Sequence, residues 1–136
     1  MHTYGYEKLI VWQKAMDVSL DIYSMSGNLP RRENYNIVSQ LDRATVSITN
    51  NLAEGSARVS RREQARFTEI AYGSLVEVTN LLTWCLRLKY IDQSMHDDLR
   101  VRLDEVAKML NGLHKRQKIQ ARQQKKGNGT DAFPLR

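Results

Sequence analysis

Asn51, Glu54 and Glu77 are polar residues set inside apolar runs, and acid–base chemistry would first be sought there. A pair of carboxylates can divide general acid and base roles, but the two must meet in a cleft. Nothing in the spacing brings Glu54 to Glu77. A buried asparagine more often fixes register or association state. Glu77, flanked by Leu75, Val76 and Val78, is expected to pair with an arginine, and Arg43 is the predicted partner. Gly55 and Gly73-Ser74 suit close backbone approach or a tight turn.

Other chemistries find less support. His2, His96 and His114 are scattered, with no second histidine or cysteine at metal-ligand spacing. His96-Asp97-Asp98 reads as the acidic first turn of a helix rather than a metal site. Cys85 lies on an apolar helix face without a basic neighbour, as a structural thiol would. No glycine-rich phosphate loop is present, and no strand to carry one. Bundle-shaped ribonucleases carry an arginine and a histidine on one helix, whereas a turn separates Arg87 from His96. The expectation is a protein without catalytic residues, metal or cofactor.

The second chemically suggestive group is cationic. Arg58, Arg61, Arg62 and Arg66 fall within nine residues. Residues 1–113 hold 14 basic and 14 acidic side chains, whereas residues 114–136 hold seven basic and one acidic. The formal net charge of +6 therefore resides in the C-terminal segment, where Lys115, Arg116, Lys118, Arg122, Lys125 and Lys126 occur without an acid. A basic arm of this kind suits a polyanion, nucleic acid first among them.

The elements that must position these residues are helical. The chain has 136 residues, two prolines and seven glycines, which suits one mostly helical domain. Helix A is predicted from about Tyr6 to Met25, with Leu9, Trp12, Met16, Leu20 and Tyr23 as its main stripe and Val11, Val18 and Met25 as a second. Helix B is predicted over Arg31–Ala57, with a heptad seam of Ile37, Leu41, Ala44, Ile48, Asn51 and Gly55. Ser60 and Glu63 form a capping box that opens helix C, predicted to run to Lys89. Ile70, Val76, Leu81, Trp84, Leu86 and Leu88 spread around this helix, so it is expected to be buried on two sides, one of them by another subunit. Ser94 is predicted to open helix D, which carries Leu99, Leu103, Val106, Leu110 and Leu113. Beyond Leu113 the apolar stripe fails, and a charged overhang to about residue 124 is expected before Gly127-Asn128-Gly129.

Short connections imply an all-α, up-down-up-down antiparallel four-helix bundle over residues 1–113. Residues 114–136 read as a basic, partly disordered tail, with Phe133 and Leu135 as its apolar residues. This topology places the helix B–C turn and the end of helix D at one end, so the two arginine and lysine clusters should form one electropositive pole. Arg61 and Arg62 in a first helical turn oppose the helix dipole, at about 0.3–1 kcal/mol each, a placement that suits phosphate binding. No run of eighteen apolar residues exists, no secretory layout opens the chain, and the lone cysteine fits a reducing compartment, so a cytoplasmic location is expected.

The pieces Val11–Asp17 (VWQKAMD), Tyr35–Arg58, Ser60–Phe67, Ile70–Val78 and Leu88–Ile91 together resemble the bacterial four-helix-bundle family of proteins encoded in intervening sequences of 23S ribosomal RNA genes. The most specific stretch is Asn51-Leu52-Ala53-Glu54-Gly55, followed by Ser60, Glu63, Arg66, Phe67, Gly73, Ser74 and Glu77. Ala57 and Lys89 depart from the family pattern, which usually has glycine at both turns. The resemblance implies a ring-like homo-oligomer, commonly a homopentamer, without enzymatic activity. The chain is also similar to the accessory variability determinants of diversity-generating retroelements, which implies nucleic acid and a reverse transcriptase as partners. The basic tail lies outside the shared pattern.

Overall fold

The computed structural model describes residues 1–127, and among these it is all-helical. Four α-helices follow in order: α1 (Ile10–Ser26), α2 (Ile37–Ser56), α3 (Arg61–Arg87) and α4 (Gln93–Gly127). Two 3-10 turns, Gly5–Lys8 and Arg31–Glu33, precede α1 and α2. Each helix packs against the next, and α4 closes onto α1. Cross-helix pairs give the antiparallel sense: Arg43 with Glu77, Lys14 with Glu105, and Asp21 with Arg102. No helix among the described residues is long and apolar enough to cross a membrane.

The core is aliphatic. Val18, Ile22, Leu41, Ile48, Leu82 and Leu103 are almost fully enclosed. On α1 the buried stripe is Val11, Ala15, Val18, Ile22 and Met25. The stripe expected to dominate instead leaves Leu20 and Tyr23 more than half exposed. Both stripes have helical spacing, and the narrower side chains allow the close α1–α2 approach marked by the Ser26 hydroxyl, 2.6 Å from Asp42. On α2, Leu52 takes the seam position expected for Asn51. Asn51 instead turns back along α2, donating its amide to the Ser47 carbonyl and hydroxyl at 2.8 and 2.9 Å. Ser47 in turn meets Ser74 at 2.7 Å, so a polar chain links α2 to α3.

Helix ends depart from expectation for identifiable reasons. At the N-terminus, Glu7 accepts from the Tyr4 amide and holds a 3-10 turn. Leu9 is then extended, so α1 begins at Ile10 rather than Tyr6. Helix α2 begins at Ile37 rather than Arg31. The Glu33 carboxylate is buried and accepts the Tyr90 hydroxyl at 2.6 Å, which pins a separate turn ahead of α2. Helix α3 stops at Arg87, and Lys89 takes a left-handed φ of 64°. The Tyr90 amide donates back to Cys85 at 2.8 Å, a pattern that ordinarily has glycine at the left-handed residue. Ala57, by contrast, is right-handed (φ −86°) and needs no glycine. Asp92, not Ser94, caps α4, accepting from the Met95 amide at 2.8 Å.

Candidate nucleic-acid interface

The B–C turn and the last turns of α4 are tied together by amide side chains. The Ser60 hydroxyl accepts from the Glu63 amide at 3.0 Å and starts α3. The reciprocal half of the expected capping box is absent, because Glu63 turns to Arg66 at 3.3 Å. Instead the free Arg61 amide donates to Gln124 Oε1 at 2.9 Å, so α4 supplies a second cap for α3. One heptad earlier, the Thr68 hydroxyl donates to buried Gln117 at 2.7 Å. The inner face of α4 thus continues past Leu113 with glutamines where leucines stood. The segment expected as a charged overhang is packed along α3 through Gln124 and remains helical to Gly127. Residues 128–136, with Phe133 and Leu135, lie outside the described residues.

This docking brings the two basic clusters to one end. Arg62 and Arg58 are exposed, and Arg61 is half-buried. The Arg61 guanidinium also donates to Gln64 at 2.9 Å. Arg58 and Arg66 both set their guanidinium carbons over the Phe67 ring, at 4.7 and 5.1 Å from its centroid. Phe67 packs on Gly55, where an added Cβ would lie 2.7 Å from Phe67 Cβ. Gly55 therefore lets the ring that supports two arginines sit against α2. On α4, Lys115, Arg116, Lys118, Arg122, Lys125 and Lys126 are all exposed.

Several cations along the body of the bundle are paired. Lys14 meets Glu105 at 2.7 Å, Arg102 meets Asp21 at 2.7 Å, and Arg43 meets Glu77 at 2.9 Å as anticipated. Asp21 holds the Arg102 guanidinium above its usual pKa. At the basic end Arg66 is the one arginine or lysine with a carboxylate within 4 Å among the described residues, and His114 lies 3.6 Å from Glu69. The remaining arginines and the six α4 cations keep their charge for solvent or a ligand.

Two hollows open at this end. One, of about 320 Å³, is lined by Arg61, Arg116, Gln117 and Gln120 over Leu52 and Leu113. The other, of about 550 Å³, places Lys8 and Lys108 beside Arg116. Sequence reasoning missed Lys8 and Lys108, because each lies in a stretch whose charge is locally balanced. Lys108 shares α4 with Arg116, and only the packing of α1 on α4 brings Lys8, which precedes α1, to the same hollow.

The polar residues first considered for catalysis do not assemble. Glu77 is engaged by Arg43, and Glu54 has no hydrogen-bond or ion-pair partner among the described residues. His96 is buried, with Nδ1 2.9 Å from Asp97, whose carboxyl this contact holds below its usual pKa, with help from Gln93. Among the described residues no three His, Cys, Asp or Glu side chains converge as a metal site would require. Burial first, and Glu33 second, push the Cys85 thiol up to about 11, so it stays protonated and poorly nucleophilic at neutral pH. Gly73 is exposed, and a Cβ there would meet nothing within 4 Å, so no close approach inside this chain requires it. Trp84, on the same helix, is 55% exposed.

Residues 7–112 match the model of the 23S rRNA-intervening sequence protein family. The chain belongs to this family. No curated protein matches it. Among solved structures, it is similar to a protein of unknown function of the S23 ribosomal protein family from Bacteroides thetaiotaomicron VPI-5482. The TM-score is 0.71 at 22% identity, over 78% of this chain and 99% of that one. That likeness bears on the fold of the family member described here. Arg58, Arg61, Arg62 and Arg66 fall inside the family match, whereas Lys115 through Lys126 fall beyond it.

Proposed function

We propose that this member of the 23S rRNA-intervening sequence protein family is a non-enzymatic accessory protein that binds RNA or DNA through its basic end. The observation that carries the reading is the convergence of two cationic clusters, distant in sequence, of whose arginines and lysines only Arg66 is paired with a carboxylate among the described residues. A polyanion gains from such a cluster by releasing counterions, so binding tolerates sequence and weakens steeply with salt. Family membership supports a ribosomal RNA intervening-sequence setting over the retroelement one, in which a reverse transcriptase would be the partner. The single cysteine and reducing chemistry it implies suit a cytoplasmic protein.

The binding form is a homo-oligomeric ring. Leu20, Tyr23 and Val46 are exposed on α1 and α2, and Ile70, Val76 and Trp84 on α3. Two different apolar faces meeting head to tail close a ring rather than a two-fold dimer. Exposed Gly73, beside Val76, lets a neighbouring subunit approach α3 closely. A homopentamer is the expected assembly, and repetition of the basic end would raise avidity.

The test replaces Lys115, Lys118, Arg122 and Lys125 by Gln, leaving Gln117 and Gln124 in place to hold α4. Gel shifts with RNA and DNA should show binding lost or weakened at least about tenfold. Unchanged binding, with Arg58, Arg61 and Arg62 also replaced by Ala, would reject the basic end as the interface. Stable capture of a protein partner by a chain that binds neither RNA nor DNA would favour a scaffold role instead.

A further inference from the structure

The N-terminal turn adds a second chemistry to the basic end. His2, Tyr4, Tyr6 and Trp12 form a continuous ladder of rings. His2 and Tyr4 meet edge to face at 4.6 Å, Tyr4 and Tyr6 stack at 6.2 Å, and Tyr6 meets Trp12 at 5.1 Å. A ladder of this kind could be core packing, but its outer half is not core. Tyr4 is 59% exposed, His2 is exposed, and neither side chain is hydrogen-bonded among the described residues. The inner half, Tyr6 and Trp12, is half-buried and anchors the outer rings. The turn is held by the bond from the Tyr4 amide to Glu7, so the rings are presented on fixed backbone.

The ladder also leads into the cationic hollows. Gly5, between the two tyrosines, and Leu9 line the hollow of Arg61 and Arg116. Lys8 and Leu9 line the hollow of Lys108 and Arg116. The exposed rings of His2 and Tyr4 and the cation of Lys8 thus fall within seven residues of chain, next to the hollows that Arg61, Lys108 and Arg116 line. A duplex has little use for such rings, because its bases are already stacked on each other. Unpaired bases offer free faces, and stacking on aromatic rings beside a cationic track is how single strands are held without sequence preference.

We propose that the ligand of the basic end is single-stranded nucleic acid, whose bases stack on His2 and Tyr4 while its phosphates follow Lys8, Arg61, Lys108 and Arg116. This rests on the nucleic-acid reading above and specifies it. The charge-neutral substitution Tyr4→Ala separates the two. Tyr4 lies outside the buried core, so the variant retains the fold, which circular dichroism checks.

The experiment is fluorescence anisotropy with a labelled twelve-nucleotide strand and with its duplex, at fixed salt. Wild type should prefer the single strand, and Tyr4→Ala should weaken that binding by about tenfold while leaving the duplex and the salt dependence unaltered. Poly(U) should quench tyrosine emission of the wild type and not of Tyr4→Ala together with Tyr6→Leu. Equal binding of both strand types, unaffected by Tyr4→Ala, overturns the single-strand inference and leaves the basic end standing. Binding of neither strand type overturns both.

Discussion

At the level of single residues, Gly55 and Lys89 are the most informative positions. Gly55→Ala would drive a Cβ to 2.7 Å from Phe67. The cost of such overpacking is about 1–3 kcal/mol, which exceeds the roughly 0.5–1 kcal/mol gained in helix propensity. Urea denaturation should show a net loss of stability. Lys89 presents the opposite case. It holds a left-handed backbone at φ 64° where a side chain is disfavoured. Lys89→Gly should raise stability by about 0.5–1 kcal/mol in the same assay, because relief of steric strain exceeds the added chain entropy of glycine. Cys85 gives a pH signature. Its thiol ionises near 11 in the folded chain against 9.0 in a free one. Below 9.0 both states are protonated and the thiol makes no difference. As pH rises from 9.0 toward 11 the unfolded chain ionises first, so stability falls across that window. Thiol-reactive dye at pH 8 should label Cys85 only in denaturant. Of these features the sequence showed the Gly55 constraint and the buried thiol. It could not show which ring Gly55 meets, because Phe67 comes from the following helix.

Among the elements, α4 departs furthest from its sequence pattern. Periodicity counts apolar side chains, and past Leu113 the only large one among the described residues is Ile119, which is exposed, while glutamines stand at the inward positions. Gln117 and Gln124 nevertheless occupy the inward positions and satisfy polar groups on α3, including an amide that every helix start leaves free. Gln124→Ala should therefore loosen the last turns of α4 and the first turn of α3 together, read as faster amide exchange in both segments. Exchange limited to α4 would contradict the mutual cap. The α1 reversal has a related cause. Two stripes with helical spacing were present, and hydropathy favoured the bulkier one. Close packing against α2 selected Ala15 and Val18, and left Leu20 and Tyr23 outside. The four-helix order, by contrast, was legible from helical periodicity and short connections, with Ser60 the expected cap that formed.

For the molecule as a whole, charge and apolar surface are separated. Lys14, Arg43, Arg100 and Arg102 along the body pair with carboxylates, whereas among the arginines and lysines of the B–C turn and the end of α4 only Arg66 does among the described residues, and apolar side chains such as Leu20, Val76 and Trp84 stay exposed. The exposed faces predict assembly: light scattering should give a multiple of the chain mass, and Trp84→Glu should reduce it to the monomer. A clean monomer of wild type at micromolar concentration would remove the ring. The fusion of two charge clusters into one end was inferable from topology, yet the participation of Lys8 and Lys108 was not, since neither lies in a basic stretch. The central claim is that this end binds nucleic acid through its phosphates, and the salt dependence of that binding tests it most directly. Anisotropy titrations of a single-stranded RNA over a range of salt concentrations should give a linear fall of log affinity with log salt. Each of Arg62→Ala and Lys118→Ala should reduce that slope by about one. A slope near zero, or one that neither substitution alters, would contradict the account.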